Sequence, residues 1–196
     1  AIQNAKGVNM PKDNIERAIK RGDQDDANFQ EVSFEGYGSH GIAIFVECLT
    51  DNNNRTVSSV RAAFNKFNGT LGTNGSLSFL FDRKGVFDFA KPEDRDFDEI
   101  QMELIDAGAE EIEVEDGNVN VVCSIEDFGN MSKKLEELNI EVESAELQRI
   151  PNDTKTLSVE EAKSVLKLID VLEDDDDVQN VFHNMEMTDE IIEAME

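Results

Sequence analysis

Two groups of cations in this sequence are spaced as phosphate contacts would be. Lys12, Arg17, Lys20 and Arg21 fall in one helical pattern, and Arg55, Arg61 and Lys66 in another. At about 100° per residue, Arg17, Lys20 and Arg21 share a helix face opposite Ile15, Ala18 and Ile19. Arg55 and Lys66 project within about 20° of each other, away from Val57, Val60, Phe64 and Phe67, with Arg61 on a flank. Arg83 and Lys84 stand just before an apolar strand pattern and add two candidate contacts. Side chains of this kind neutralise phosphates and release counterions. The same spacing also suits a solvated helix face. No constellation for reading base edges is visible, so the implied chemistry is backbone binding without a derivable sequence preference.

Other chemistries find less support. His40 and His183 are the only histidines, and no Cys-x-x-Cys or His-x-x-x-His spacing occurs, so neither a metal nor any other cofactor is expected. The acidic run Glu173–Asp177 lacks the alternating ligands and the glycine of a calcium loop, and reads as a solvated turn. Among 44 Asp and Glu residues, accidental carboxylate pairs are guaranteed and say nothing about acid–base catalysis. Cys48 lies in an apolar run, where a thiol is usually inert. The expectation is therefore a protein that is not an enzyme. The segment Gly69-Thr-Leu-Gly-Thr-Asn-Gly75 lacks Gly-Lys-Ser/Thr and precedes a strand pattern, which leaves a turn needing positive φ. Phe87 and Phe89 alternate on one face as in the aromatic strand of RNA-recognition modules. That motif belongs on the third strand of its fold, whereas this one opens a unit, so core packing is the expected role.

The charge balance sharpens the cationic reading. The net charge is −26, which by itself argues against nucleic acid. Residues 1–22, however, hold five basic and two acidic residues, a balance of +3 that leaves −29 on residues 23–196. A basic leading edge precedes an acidic body, and the start at Ala1 inside a helical pattern, without an initiating Met, suggests a segment upstream. No signal peptide is expected. No apolar run approaches the roughly 20 residues of a membrane-spanning helix. Cys48 and Cys123 lie in separate apolar contexts and are expected to pack rather than pair, which suits a reducing compartment.

Periodicity then supplies the elements that must position these groups. Asn9 to Gly22 reads as a short helix with Pro11 in its first turn and Gly22 as its left-handed cap, followed by an acidic linker from Asp23 to Asn28. Ile42 to Leu49 is a nearly continuous apolar run, expected as a strand covered on both faces. A helix from about Arg55 to Phe67 follows, capped by Asn53 or Asn54, then a strand from Ser76 to Phe81. From Gly85 to Ile150 the order is βαββαβ, that of a ferredoxin-like sandwich. Its first strand is Val86 to Phe89, and Phe97, Ile100, Leu104 and Ile105 form its first helix stripe. Asp116-Gly117 makes a type I′ hairpin. Ser124 caps a second helix with Phe128, Met131, Leu135 and Leu138 as its stripe, and Val142 to Leu147 closes the unit. After a polar connector from Pro151 to Thr156, Ser158-Val159-Glu160-Glu161 is a capping box. It opens a helix with Val159, Ala162, Val165, Leu166, Ile169 and Leu172 on one stripe, and a strand from Val178 to Met185 follows. A lone helix and strand cannot bury their apolar faces, so residues 85–150 are read as an insertion in a discontinuous domain.

Three separated stretches carry a family resemblance: FEGYGSHGIAIFVECLTDNNNRTVSSVRAAFNKFNGTLGTNGSLSFLFDRKG from Phe34 to Gly85, NMPKDNIERAIKRG from Asn9 to Gly22, and VQNVFHNME from Val178 to Glu186. In this order they resemble the YebC/PmpR family of transcriptional regulators, which includes mitochondrial translational activators. The resemblance implies a helical, Lys/Arg-rich first domain and two α/β domains. The resulting expectation is an α+β chain with a truncated helical N-terminal domain (1–24), a discontinuous α/β-sandwich domain (25–82 plus 151–196) and an inserted ferredoxin-like domain (83–150). The implied function is a cytoplasmic, DNA-binding transcriptional regulator, in the mitochondrial matrix if the source is eukaryotic. An RNA- or ribosome-associated translation factor is the alternative, and a small-molecule sensor of the ACT type is a third reading from another class. The expected partner is DNA or RNA through the basic N-terminal region, with basic proteins meeting the acidic body and no membrane involved.

Overall fold

The computed structural model describes Ala5, residues 10–25 and residues 29–194, with the side chains of Ala18 and of residues 20–25 outside the described set. In chain order the elements are α1 (Lys12–Asp25), β1 (Gln30–Tyr37), β2 (Ala43–Thr50), α2 (Asn53–Lys66) and β3 (Thr70–Leu71). Then come β4 (Phe81–Ala90), α3 (Phe97–Asp106), β5 (Ala109–Glu115), β6 (Asn118–Ser124) and α4 (Phe128–Glu137). The chain continues through β7 (Val142–Pro151), α5 (Val159–Glu173), β8 (Val178–His183) and α6 (Asp189–Glu193). This is an α+β protein with two four-stranded sheets, ordered β3-β1-β2-β8 and β5-β6-β4-β7. Contacts divide it into two compact units: residues 26–82 with 150–196, and residues 83–149 grouped with the α1 helix.

In the first unit, β1 and β2 form an antiparallel hairpin closed by a tight turn at Ser39–Gly41, where His40 and Gly41 take positive φ. The β2 run is apolar because both of its faces are covered. Ile44, Val46 and Cys48 pack under Val60, Ala63 and Phe64 of α2 and under Ala162, Val165, Leu168, Ile169 and Leu172 of α5. Ala43 and Phe45 face the other way, against Leu77 and Phe81, with Phe81 edge-on to Phe45 at 6.2 Å. The capping box at Ser158 forms as expected, its hydroxyl accepting from the Glu161 N–H while the Glu161 carboxylate accepts from the Ser158 N–H. Leu168, outside the expected stripe, is fully buried on α5.

Three local expectations for this unit are corrected. The stretch Ser76 to Phe81 is not a strand: residues 74–80 are turns, and the strand begins only at Phe81. The cause lies 40 residues upstream. Glu35, only 4 % exposed, accepts the N–H groups of Gly75 and Leu77 at 2.6 Å each, donors that a strand would need for its ladder. The α2 helix starts at Asn53, so its cap is Asn52, whose side-chain oxygen accepts the Arg55 N–H at 3.2 Å. The final strand ends at His183 rather than Met185.

In the second unit the strand order, taken by occurrence, is 2-3-1-4, the arrangement of a ferredoxin-like sandwich. Phe87, Phe89, Val119, Val121 and Cys123 on one sheet face pack against Ile100 and Leu104 of α3 and Met131 and Leu135 of α4. The Asp116-Gly117 turn has both residues at positive φ, as a type I′ hairpin requires. The first strand is longer than Val86 to Phe89 and runs from Phe81 to Ala90, so Arg83 and Lys84 lie within it rather than before it. Ile105 is 59 % exposed and leaves the helix stripe. The α4 cap position is Asp127, and Ser124 instead accepts the Asp127 N–H from three residues upstream. The last strand continues beyond Leu147 to Pro151.

The α1 helix passes through Gly22 to Asp25, so Gly22 is an interior residue; of the linker expected from Asp23 to Asn28, residues 23–25 are helical and residues 26–28 lie outside the described residues. A glycine inside a helix costs only about 1 kcal/mol relative to alanine, and no proline follows to stop it. The Pro11 carbonyl accepts the N–H groups of Asn14 and Ile15, which opens the helix at the expected place.

Candidate nucleic-acid interface

The nine candidate cations differ in what already occupies them. On α1, Lys12 is exposed and lies 3.9 Å from Glu16, a contact too loose to neutralise it. Arg17 is exposed, its guanidinium directed along its own helix to the Asp13 carbonyl at 3.2 Å and the Asn14 side chain at 2.6 Å. Ile15 is half-buried, whereas Ile19, expected on the same apolar face, is exposed. Lys20 and Arg21 belong to the helix, with side chains outside the described residues.

On α2 the three cations separate. Arg55 grips Asp177 with two bonds, Nε to Oδ2 at 3.1 Å and the terminal nitrogen to Oδ1 at 2.6 Å, and also reaches Asp51 at 2.9 Å. Its charge is spent within the fold, so Arg55 leaves the set of free phosphate contacts. Arg61 is exposed and, among the described residues, makes no ion pair. Lys66 is exposed too, with its ammonium 5.2 Å from the centre of the Phe67 ring.

In the second unit Arg83 is exposed and carries no ion pair among the described residues. Lys84, half-buried, is held by Glu110 at 2.7 Å. Phe87 and Phe89 are fully buried, so neither ring can stack on a base. Arg61 and Lys66 thus share one helix, while α1 and Arg83 belong to the other unit.

The buried groups read as structure rather than chemistry. Burial pushes the Cys48 thiol up to about 12 and the Cys123 thiol up to about 11, so both stay protonated and unreactive at neutral pH. Asp177 is held below the usual carboxylate range, chiefly by Arg55, with help from Thr56 and Thr50. The Thr56 hydroxyl lies 2.8 Å from both Asp177 and Thr50, which completes a buried polar knot between α2 and the turn before β8. Shallow clefts in the second unit, of about 310 Å³ beside Lys133 and Lys134 and about 290 Å³ beside Asp88 and Glu113, are walled by charged side chains. Such walls lack the apolar lining usual for a small-molecule site.

One feature invisible in the residue pattern is Phe79, 69 % exposed at the end of the turns that Glu35 organises. Another is compositional and was there to be found. In a chain with 44 acidic residues, residues 52–81 contain no Asp or Glu at all.

Comparison with known proteins fits this architecture. The family model described as "TACO1/YebC second and third domain" matches residues 29–185. A protein of Amoebophilus asiaticus named "Probable transcriptional regulatory protein" is 53% identical over 188 residues, covering 94% of this chain and 77% of that relative. A protein of the same name from Cytophaga hutchinsonii is 54% identical over 191 residues, covering 96% of this chain and 79% of its own length. Among solved structures, a conserved hypothetical protein from Aquifex aeolicus superposes with a TM-score of 0.81 at 38% identity, covering 97% of this chain and 79% of that one. On the family match and these identities, the chain belongs to the TACO1/YebC family.

Proposed function

We propose that the protein is a non-enzymatic regulator of gene expression that binds DNA through backbone phosphates. The observation that carries this reading is the state of its cations. Among the described residues Arg61 and Arg83 stay exposed without carboxylate partners, and Lys66 without an ion pair, in a chain where Asp and Glu outnumber Lys and Arg by 44 to 18. Exposed unpaired cations are what counterion release requires. The names of the relatives support transcription as the process, and a cytoplasmic location goes with that reading. Among the described residues no helix is long and apolar enough to cross a membrane. The acidic remainder of the surface repels phosphate and suits contact with basic proteins.

Equilibrium titration of labelled DNA duplexes at several salt concentrations tests the proposal. Binding should weaken steeply with salt. Replacing Arg17, Lys20 and Arg21 together by alanine should lower the slope of log K against log salt by roughly one per lost contact, while the thermal melt is unchanged. An unaltered slope returns those residues to the role of a solvated face.

A further inference from the structure

Asparagine followed by glycine occurs twice in this chain, at Asn68-Gly69 and Asn74-Gly75, both within the stretch that holds no acid. In such a pair the glycine nitrogen can attack the asparagine side-chain carbonyl, because no Cβ beside it blocks the approach. The fold makes the two pairs unequal. Gly69 is crowded: a Cβ there would meet the Tyr37 carbonyl oxygen at 2.9 Å and the Phe64 ring at 3.0 Å. Its N–H donates to the Phe64 carbonyl at 2.8 Å, an acceptor that is no base. Gly75 stands in open space, with nothing within 4 Å of a Cβ built on it, and Asn74 before it is exposed.

Gly75 also has a base at its nitrogen. The Glu35 carboxylate, 4 % exposed, accepts the Gly75 N–H at 2.6 Å through Oε1 and the Leu77 N–H at 2.6 Å through Oε2. A general base must lie about 2.6–3.2 Å from the atom whose proton it takes, and the Leu77 bond holds this one in place. The atoms balance with water as the only added reagent. The Gly75 nitrogen bonds to Asn74 Cγ as its proton passes to Glu35. The Cγ–Nδ2 bond then breaks, the departing nitrogen takes that proton back, and ammonia leaves a cyclic imide behind. Water opens the imide at one of its two carbonyls, which places an aspartyl or isoaspartyl residue where Asn74 stood.

We propose that Asn74 is a self-modification site: it deamidates in the folded protein with Glu35 as the intramolecular base, while Asn68 is spared. The product puts a carboxylate into a stretch that has none. In its isoaspartyl form it also inserts a methylene into the backbone that Glu35 holds. The proposal is independent of phosphate binding and stands or falls without it.

The test incubates the intact chain at neutral pH, folded and in guanidinium, and follows each asparagine by peptide mass mapping. The readouts are the mass gain of amide-to-acid conversion and enzymatic methylation of isoaspartate. In the folded chain Asn74 should convert at least about tenfold faster than Asn68, and faster than Asn74 itself in guanidinium. In guanidinium, where only the local sequence acts, the two rates should converge. Glu35→Gln, checked by its thermal melt, should slow Asn74 about tenfold or more and leave Asn68 unchanged. If that variant fails to fold, the folded and unfolded rates of the parent decide alone. Slower conversion of Asn74 in the folded chain than in guanidinium would show that the Glu35 bond protects the amide, and overturns the proposal. Equal rates at Asn74 and Asn68 in the folded chain, or undiminished conversion in a folded Glu35→Gln, overturn it as well.

Discussion

Residues 25–82 expressed alone are expected to show no cooperative melt, whereas residues 83–150 alone should unfold in a single transition. The first segment holds β1, β2 and α2, but half of what covers them comes from elsewhere. Ala162, Val165, Leu168, Ile169, Leu172, Met185 and Ile191 complete the core over Ile44, Val46 and Phe64. β8 supplies the pairing partner for the far edge of β2. Without them a large apolar sheet face meets water, and each uncovered core side chain forfeits roughly 1.5–3 kcal/mol of burial, so several together cancel the roughly 5–15 kcal/mol by which a domain is stable. The second unit depends on neither, since Phe87, Phe89, Leu104, Val121, Met131 and Leu135 pack among themselves. Joining 25–82 to 151–196 through a short Gly/Ser linker should restore cooperative folding, because the Asn152 N–H already meets the Leu80 carbonyl where the segments would be joined. Circular dichroism melts of the three proteins check this, and a cooperative transition for 25–82 alone would refute it.

Asp177→Asn is expected to destabilise the first unit by about 1–3 kcal/mol, the range for stranding buried hydrogen-bond partners. Asp177 is 6 % exposed and accepts from Arg55 twice and from Thr56 once, so one side chain ties α2 to the turn before β8. The amide that replaces it cannot accept at both positions, and Thr50 and Thr56 are themselves buried. Arg55 is half exposed and contributes mainly by orientation, because an exposed guanidinium is screened. The effect depends on pH in a fixed sense. The folded-state pKa of Asp177 is depressed, so its contribution is full above the unfolded value of about 3.9 and fades as the pH falls through the folded one. The parent should therefore exceed Asp177→Asn in stability at pH 7, and the gap should narrow below about pH 4. Urea denaturation at both pH values measures it, and a gap that does not change with pH would show that the carboxylate charge is not what holds the knot.

Much of the fold was legible because its causes are local. The run from Ile42 to Leu49 announced a strand buried on both sides, the Ser158 box announced its helix, and Asp116-Gly117 announced its hairpin. Where sequence reading failed, the deciding partner is far along the chain. Ser-Leu-Ser-Phe-Leu-Phe alternates like a strand, yet Glu35 captures the donors that a ladder would need. Asn52 rather than its neighbours caps α2, a choice among adjacent asparagines that composition cannot make. The candidate interface was legible as residue types but not as availability. Arg55 matches Arg61 in sequence terms, and only the approach of Asp177 from 122 positions away removes it from the surface set. Lys84 is likewise occupied by Glu110. The exposure of Phe79 is not legible in the sequence, because an alternating apolar pattern assigns it to a core that the turns turn away from.

Crosslinking in cells, followed by sequencing of whatever nucleic acid is recovered with the protein, tests the central claim most directly. Nucleic acid should be recovered well above an untagged control and should fall sharply for the variant lacking Arg17, Lys20 and Arg21 at equal protein abundance. DNA in the recovered fraction fits the transcriptional reading, and RNA fits the translational one. Recovery at the level of the control, with nuclease and protease treatments leaving the signal unchanged, would contradict phosphate binding as the function of this chain.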